Sequence, residues 1–284
     1  MLNFNVVTHT QDALGEGPIW VARDECLYWV DMTGRRLHRY RPANGAVSSW
    51  SMPQNLCWVV ERAGHDGLLA GFATGMATIT LDPLTVDFIN ALDPGLGNRL
   101  NDAKVDPRGR LWAGTMEADA ASPTGHLCRM DDLTTARVLD SEYLVPNGPA
   151  FSPTGDFIYH ADSLRRVVYR FTVATDGTLY DKRRHIVFDG DTGLPDGMTV
   201  DAEGYLWIGH WDGGRISRFD PDGRLDRAVA LPASRITSCA FGGTSLDRLF
   251  VTSARAEREG EPLAGALFEL QPGVCGIAAV AFNG

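Results

Sequence analysis

Short apolar runs recur along the chain, separated by polar text rich in glycine and proline. Leu27-Tyr28-Trp29-Val30-Asp31, Leu68-Leu69-Ala70-Gly71-Phe72 and Leu111-Trp112-Ala113-Gly114-Thr115 are the first three. Phe157-Ile158-Tyr159-His160-Ala161, Leu206-Trp207-Ile208-Gly209-His210 and Leu249-Phe250-Val251-Thr252-Ser253 complete the series. Their starts are separated by 41, 43, 46, 49 and 43 residues. A second run follows each one, as in Arg36-Leu37-His38-Arg39-Tyr40, Val167-Val168-Tyr169-Arg170-Phe171 and Gly265-Ala266-Leu267-Phe268-Glu269. Asp106-Pro107-Arg108-Gly109, Ser152-Pro153-Thr154-Gly155, Asp201-Ala202-Glu203-Gly204 and Asp220-Pro221-Asp222-Gly223 punctuate the units with turn chemistry. Their acids lack the spacing of an EF-hand loop, so these read as plain hairpin turns. Short strands, no amphipathic helical stretch and a period in the forties predict an all-β, six-bladed β-propeller. It is expected to be one domain over residues 1–284, with a strand near residues 3–7 pairing with the C-terminal strands to close the ring.

The residues preceding these runs carry the candidate chemistry. Asn101, Asn147 and Asp196 each lie 10 residues before Leu111, Phe157 and Leu206, and Glu16 lies 11 before Leu27. Leu56-Cys57 and Ser238-Cys239 fill the corresponding stretch in the other two repeats. Each position begins a strand that reads as the innermost of its blade, so four of six equivalent positions would aim a side-chain oxygen at one axis. Two acids and two amides suit a hard divalent cation such as calcium, magnesium or manganese, with zinc or iron also open. A single Asn-Gly or Asp-Gly is ordinarily just a turn; four in register around a ring are not explained that way.

Composition narrows the partners. A net charge of -10, with Lys104 and Lys182 the only lysines, leaves no basic stripe for nucleic acid. No apolar stretch approaches the ~20 residues that span a bilayer, and the first residues lack the pattern of a signal peptide. Cys26, Cys57, Cys128, Cys239 and Cys275 are odd in number with no close pair, which reads as small buried thiols in a reducing cytoplasm. Trp29, Trp112 and Trp207 read as repeated blade-packing residues, and Trp20 and Trp211 as candidates for lining a pocket. His160 and His210, each within a strand, read as core or channel-wall packing in preference to metal ligands, with an edge role in substrate binding as the alternative.

The local texts also resemble a known family. Leu14-Gly15-Glu16-Gly17-Pro18, Asn98-Arg99-Leu100-Asn101-Asp102, Asn147-Gly148-Pro149, Leu194-Pro195-Asp196-Gly197-Met198 and Thr237-Ser238-Cys239-Ala240-Phe241 occur in the order found in the SMP-30/gluconolactonase/regucalcin sugar-lactone hydrolases. The resemblance covers effectively the whole chain. It implies a six-bladed propeller, a metal held by Glu16, Asn147 and Asp196, Asp196 as general base, and substrate contacts from Arg99 and Asn101. A further family glutamate maps to Glu117, with Asp119 the alternative, and Ala103 stands where the family often has glycine. The implied reaction is hydrolysis of a sugar-acid lactone, in which a divalent cation polarises the cyclic ester and Asp196 takes a proton from water.

Other chemistries lack their motifs. There is no Gly-x-Ser-x-Gly elbow, no His-Glu-x-x-His helix and no phosphate-binding Gly-x-x-x-x-Gly-Lys loop. Gly95-Leu96-Gly97 lacks the third glycine of a dinucleotide loop. The expected partner is a small sugar lactone and not nucleic acid or membrane, and the expected state is a monomer or weak homo-oligomer. The alternative is a non-catalytic calcium-binding or interaction propeller, a common use of the fold.

Overall fold

A computed structural model describes residues 4–89, 97–258 and 260–284; Asn3 of the expected closing strand and Gly95 and Leu96 lie outside them. Twenty-four strands form six four-stranded antiparallel sheets. No α-helix occurs among the described residues, where Ala22–Asp24 is a single 3-10 turn. The chain starts with β1 (Phe4–Thr8) and then builds the first sheet from β2 (Gly15–Val21), β3 (Cys26–Asp31), β4 (Arg36–Arg41) and β5 (Ala46–Ser51). The second sheet holds β6 (Leu56–Glu61), β7 (Leu68–Phe72), β8 (Gly75–Leu81) and β9 (Leu84–Phe88). The third holds β10 (Asn98–Val105), β11 (Leu111–Glu117), β12 (Gly125–Met130) and β13 (Ala136–Tyr143), and the fourth β14 (Pro146–Phe151), β15 (Phe157–Asp162), β16 (Val167–Val173) and β17 (Leu179–Val187). The fifth runs through β18 (Leu194–Val200), β19 (Leu206–Trp211), β20 (Arg215–Phe219) and β21 (Leu225–Ala230). In the sixth, β22 (Ile236–Gly242), β23 (Arg248–Ser253) and β24 (Leu267–Leu270) are completed by β1, which pairs with β24 through Phe4 and Leu270.

The first strands β2, β6, β10, β14, β18 and β22 pack each on the next, and β22 packs back on β2. This closes a six-bladed β-propeller. Strand composition follows depth: β3 and β14 are buried at every residue, whereas β5 has no buried residue. Only an inner strand has a neighbour on both faces, so only it reads as a continuous apolar run.

The hairpin turns hold their acids for structure. Asp106 accepts the Trp112 indole N–H at 2.9 Å and the backbone N–H groups of Arg108 and Arg110. Asp201 repeats this with Trp207 at 2.9 Å, Glu203 and Tyr205, and it also pairs with the Arg218 guanidinium at 2.8 Å. A buried carboxylate is tolerated when its lone pairs are filled in this way. Trp29 departs from the expected repeat: its indole donates to Asp12 at 2.8 Å, at the opposite end of its blade from the hairpin turn. Trp20 borders a cavity at the far end of the channel and does not line the site of Glu16. It is buried at the far end of β2 among Leu27, Trp29, Phe250 and Leu267. Four cysteines are buried thiols as expected, while Cys275, in the segment after β24, is exposed.

Candidate active site

The site is built from irregularities in the innermost strands. Each of the six carries one extra residue relative to its partner strand, and the six bulges fall at corresponding points. A bulge leaves residues out of the ladder and re-aims their side chains, here at one level of the channel wall. In β10 the inserted pair is Asn101 and Asp102, between the Leu100–Thr115 and Ala103–Ala113 pairs. In β18 it is Asp196 and Gly197. In β2 and β14, Glu16 and Asn147 are the last paired residues before the bulge, and the bulge begins with Gly17 (φ +52°) and Gly148 (φ +81°). Both positive φ values favour glycine.

This corrects the equivalence expected from spacing. Glu16 corresponds to Asn147, and Asn101 to Asp196, one residue further along. The constant spacing of ten hid the offset. Ala150 pairs with Tyr159, nine residues on, whereas Ala103 and Met198 pair with Ala113 and Ile208, ten on. A hairpin one residue shorter therefore compensates for a side chain one residue earlier.

The ring is stitched between blades through the carbonyl that precedes each bulge residue or candidate ligand. Thr237 Oγ1 donates to Gly15 O at 2.5 Å, the Cys57 thiol to Leu100 O at 3.2 Å, Asn101 Nδ2 to Pro146 O at 2.7 Å and Ser163 Oγ to Pro195 O at 2.6 Å. These set the heights of Glu16, Asn101, Asn147 and Asp196 relative to one another. Arg99 Nη1 donates to Asn101 Oδ1 at 2.8 Å, and Asn101 Nδ2 donates to Asn147 Oδ1 at 2.9 Å. Gly197 lies where an added Cβ would sit 2.2 Å from Ser238 Oγ, so the β18–β22 approach at this level requires glycine.

Electrostatics single out the same residues. Glu16, Asp102 and Asp196 are buried carboxyls, and none has an Arg or Lys partner among the described residues, unlike the buried Asp106, Asp162 and Asp201; Asp31, also without one, is filled by the Ala13, Leu14 and Gly34 N–H groups. Burial and the nearby Asp102 carboxylate push Glu16 up to about 8. Burial, then Glu16 and Asp102, hold Asp196 well above the usual carboxylate range. Asp102 is raised by burial, against the pull of Lys104 and of the Ala103 and Gly148 N–H groups. Burial lowers the Arg99 guanidinium and pushes the neighbouring Cys57 thiol up to about 12. Beyond Asp102, at the far ends of the inner strands, lies a cavity of about 150 Å³ lined by Asp102, Lys104, Thr199 and residues 277–280.

Among the described residues no three acid, imidazole or thiol groups lie close enough to chelate an ion alone. The set expected from sequence differs in kind, since Asn147 contributes an amide oxygen. Two buried carboxyls without cationic partners and an oriented amide carbonyl fit a hard divalent cation, whose charge would remove the cost of ionising them. Asp102 and Ser163 were not expected. Asp102 adjoins Asn101 within the same bulge, which spacing alone does not show. Ser163 follows Asp162 at the end of β15, remote in sequence from every candidate.

The other candidates are placed as follows. Glu117, at the end of β11 beside Asn98, is half-buried and accepts the Ser122 N–H at 2.7 Å. Asp119 is exposed. His160 packs edge-on against Tyr143 at 4.7 Å, and His210 contacts Thr192 O through Nδ1 at 2.6 Å. Burial pushes these imidazoles down to about 3 and about 4. Trp211 stands at the end of the channel that holds Asp196, beneath the Arg235 guanidinium at 4.4 Å.

A closed six-bladed ring with acids and amides set at its bulges defines the class. The SMP-30/gluconolactonase/LRE-like family model matches residues 14–255, and the chain belongs to that family. It is 35% identical to the 6-deoxy-6-sulfogluconolactonase of Pseudomonas putida, with 98% of each chain covered. It is 34% identical to the pentonolactonase of Haloferax volcanii, covering 95% of this chain and 94% of that one. Among solved structures it resembles the calcium-binding protein regucalcin from Agrobacterium tumefaciens, with a TM-score of 0.93 at 27% identity over 99% of this chain and 97% of that one.

Proposed function

We propose that this chain hydrolyses a sugar-acid lactone to the open-chain acid, using one divalent cation held by Glu16, Asn147 and Asp196. Its lactonase relatives support the substrate class. The observation that carries the site is the trio of buried carboxyls without ion-pair partners at the bulge level of the channel. Bound there, a cation supplies Lewis acidity toward the ester carbonyl.

The chain's own residues do the rest. Glu16 and Asp196 carry the negative charge that holds the cation, and Asp196, once ionised, accepts a proton from the attacking water. Arg99 presents a guanidinium whose Nη1 is already committed to Leu100 O and Asn101 Oδ1. That bracing holds its remaining N–H groups for ring hydroxyls and for the oxyanion that develops as the ester opens. Asn101 positions Arg99 and Asn147 together. Glu117, fixed by the Ser122 N–H, accepts a sugar hydroxyl at the rim.

A panel of glucono-, galactono-, xylono- and arabinonolactones in a pH-stat, with and without chelator, tests this reading. Acceleration over the spontaneous rate on at least one sugar, lost with chelator, is expected. No acceleration on any of them would leave the non-catalytic propeller as the better reading.

A further inference from the structure

We propose that Ser163 is a positioning residue that fixes which atom of Asn147 faces the channel axis. This rests on the reading that Asn147 offers its amide oxygen to a divalent cation. An asparagine amide is nearly symmetric in shape, and only its oxygen is a ligand for a hard cation. Something must therefore decide its orientation.

A directional hydrogen-bond chain makes that decision. At one end stands Arg99, which can only donate, and its Nη1 lies 2.8 Å from Asn101 Oδ1. Asn101 must then turn Nδ2 away, toward Pro146 O at 2.7 Å and Asn147 Oδ1 at 2.9 Å. Asn147 must in turn point Nδ2 at Ser163 Oγ, 2.9 Å away. At the other end Pro195 O can only accept, and it takes the Ser163 hydroxyl proton at 2.6 Å. Every donor meets an acceptor in one sense of the chain alone. Reversing the Asn147 amide would set two NH₂ groups face to face and two oxygens face to face.

Ser163 is the link that carries this polarity between blades. Its own N–H is bonded to Val145 O at 2.9 Å, so its backbone is pinned at the start of the strand that bears Asn147. Its hydroxyl reaches Pro195 O, the carbonyl immediately before Asp196. One side chain therefore ties the orientation of one candidate ligand to the placement of another. Ser163 and Asn147 are both buried, so water does not substitute freely for the hydroxyl.

The test is calorimetric titration of Ca²⁺ and Mn²⁺ into the chelator-treated full chain. Ser163→Ala is expected to weaken the affinity about 10- to 100-fold, the usual effect of removing a hydrogen-bond partner of a metal ligand. Ser163→Thr, which keeps the hydroxyl, is expected to stay within about threefold of the unaltered chain. Ser152→Ala removes a hydroxyl from the Phe157 N–H in the turn of the same blade and is expected to lower Tm while leaving the affinity unchanged. If Ser163→Ala does not fold, Ser163→Cys keeps the volume with a weaker acceptor and is expected to show the same loss. Equal affinity in the unaltered, Ser163→Ala and Ser163→Cys chains overturns the positioning role alone. An equal loss in Ser152→Ala does the same. An unaltered chain that binds neither ion overturns this role and the cation reading beneath it.

Discussion

Replacing Glu16 by glutamine should stabilise the cation-free protein, and the gain should grow with pH. The ordinary glutamate carboxyl titrates near 4.5, and in the folded chain burial and Asp102 push it up to about 8. Below 4.5 the carboxyl is protonated whether the chain is folded or not, so folding is not penalised. Between 4.5 and about 8 the unfolded chain ionises and the folded chain does not, so stability falls as pH rises through that window. Above it, no further change is due to this group. At about 1.4 kcal/mol per pH unit, the full loss is ~5 kcal/mol. That is a large part of the 5–15 kcal/mol typical of a folded domain. Burial depresses His160, His185 and His210, so these imidazoles add stability as pH rises toward 6.5 and oppose the trend. The quantity to read is therefore the difference between variant and unaltered chain. Urea unfolding of both, with chelator, at pH 5, 6.5 and 8 supplies it. A Glu16→Gln advantage that is small at pH 5 and rises by several kcal/mol at pH 8 is expected, and saturating cation should reverse its sign. An advantage independent of pH, or none, would refute the idea that the fold holds Glu16 as an unpaired buried acid.

Two further substitutions separate the site from the scaffold. Arg99→Ala should leave Asn101 Oδ1 unpartnered and remove the guanidinium, lowering kcat/KM about 10²-fold while cation affinity falls less; steady-state kinetics beside calorimetry would check it. Asp201→Ala strands Trp207, Arg218 and two backbone N–H groups, and should cost about 3–5 kcal/mol in urea unfolding with no change in cation affinity.

Some of this architecture was legible in the residues and some was not. The six apolar runs fall in β3, β7, β11, β15, β19 and β23, because strands near the axis have both faces covered by the neighbouring blades. Closure by β1 was legible too, since an unpaired first strand needs a partner. The bulges were not. They follow from neighbouring strands that run out of step by one residue, and a shorter hairpin in the fourth blade cancelled the evidence in the spacing. Trp29 packs within its blade as expected, but it is the third residue of its run where Trp112 and Trp207 are the second, and its indole turns to Asp12 at the other end of the blade. Asp102 and Ser163 act through contacts 46 and 16 residues away in sequence, with Gly148 and Asn147. No local pattern encodes such contacts.

In the proposed reaction, lactone opening depends on a cation held by Glu16, Asn147 and Asp196. Adding a divalent cation stepwise to the chelated chain, while reading bound ion and lactone hydrolysis on the same samples, tests it most directly. Activity should rise in proportion to bound ion and level off at about one ion per chain, and Asp196→Ala should bind none and hydrolyse at the spontaneous rate. Full activity in the stripped chain, or in Asp196→Ala, would contradict it.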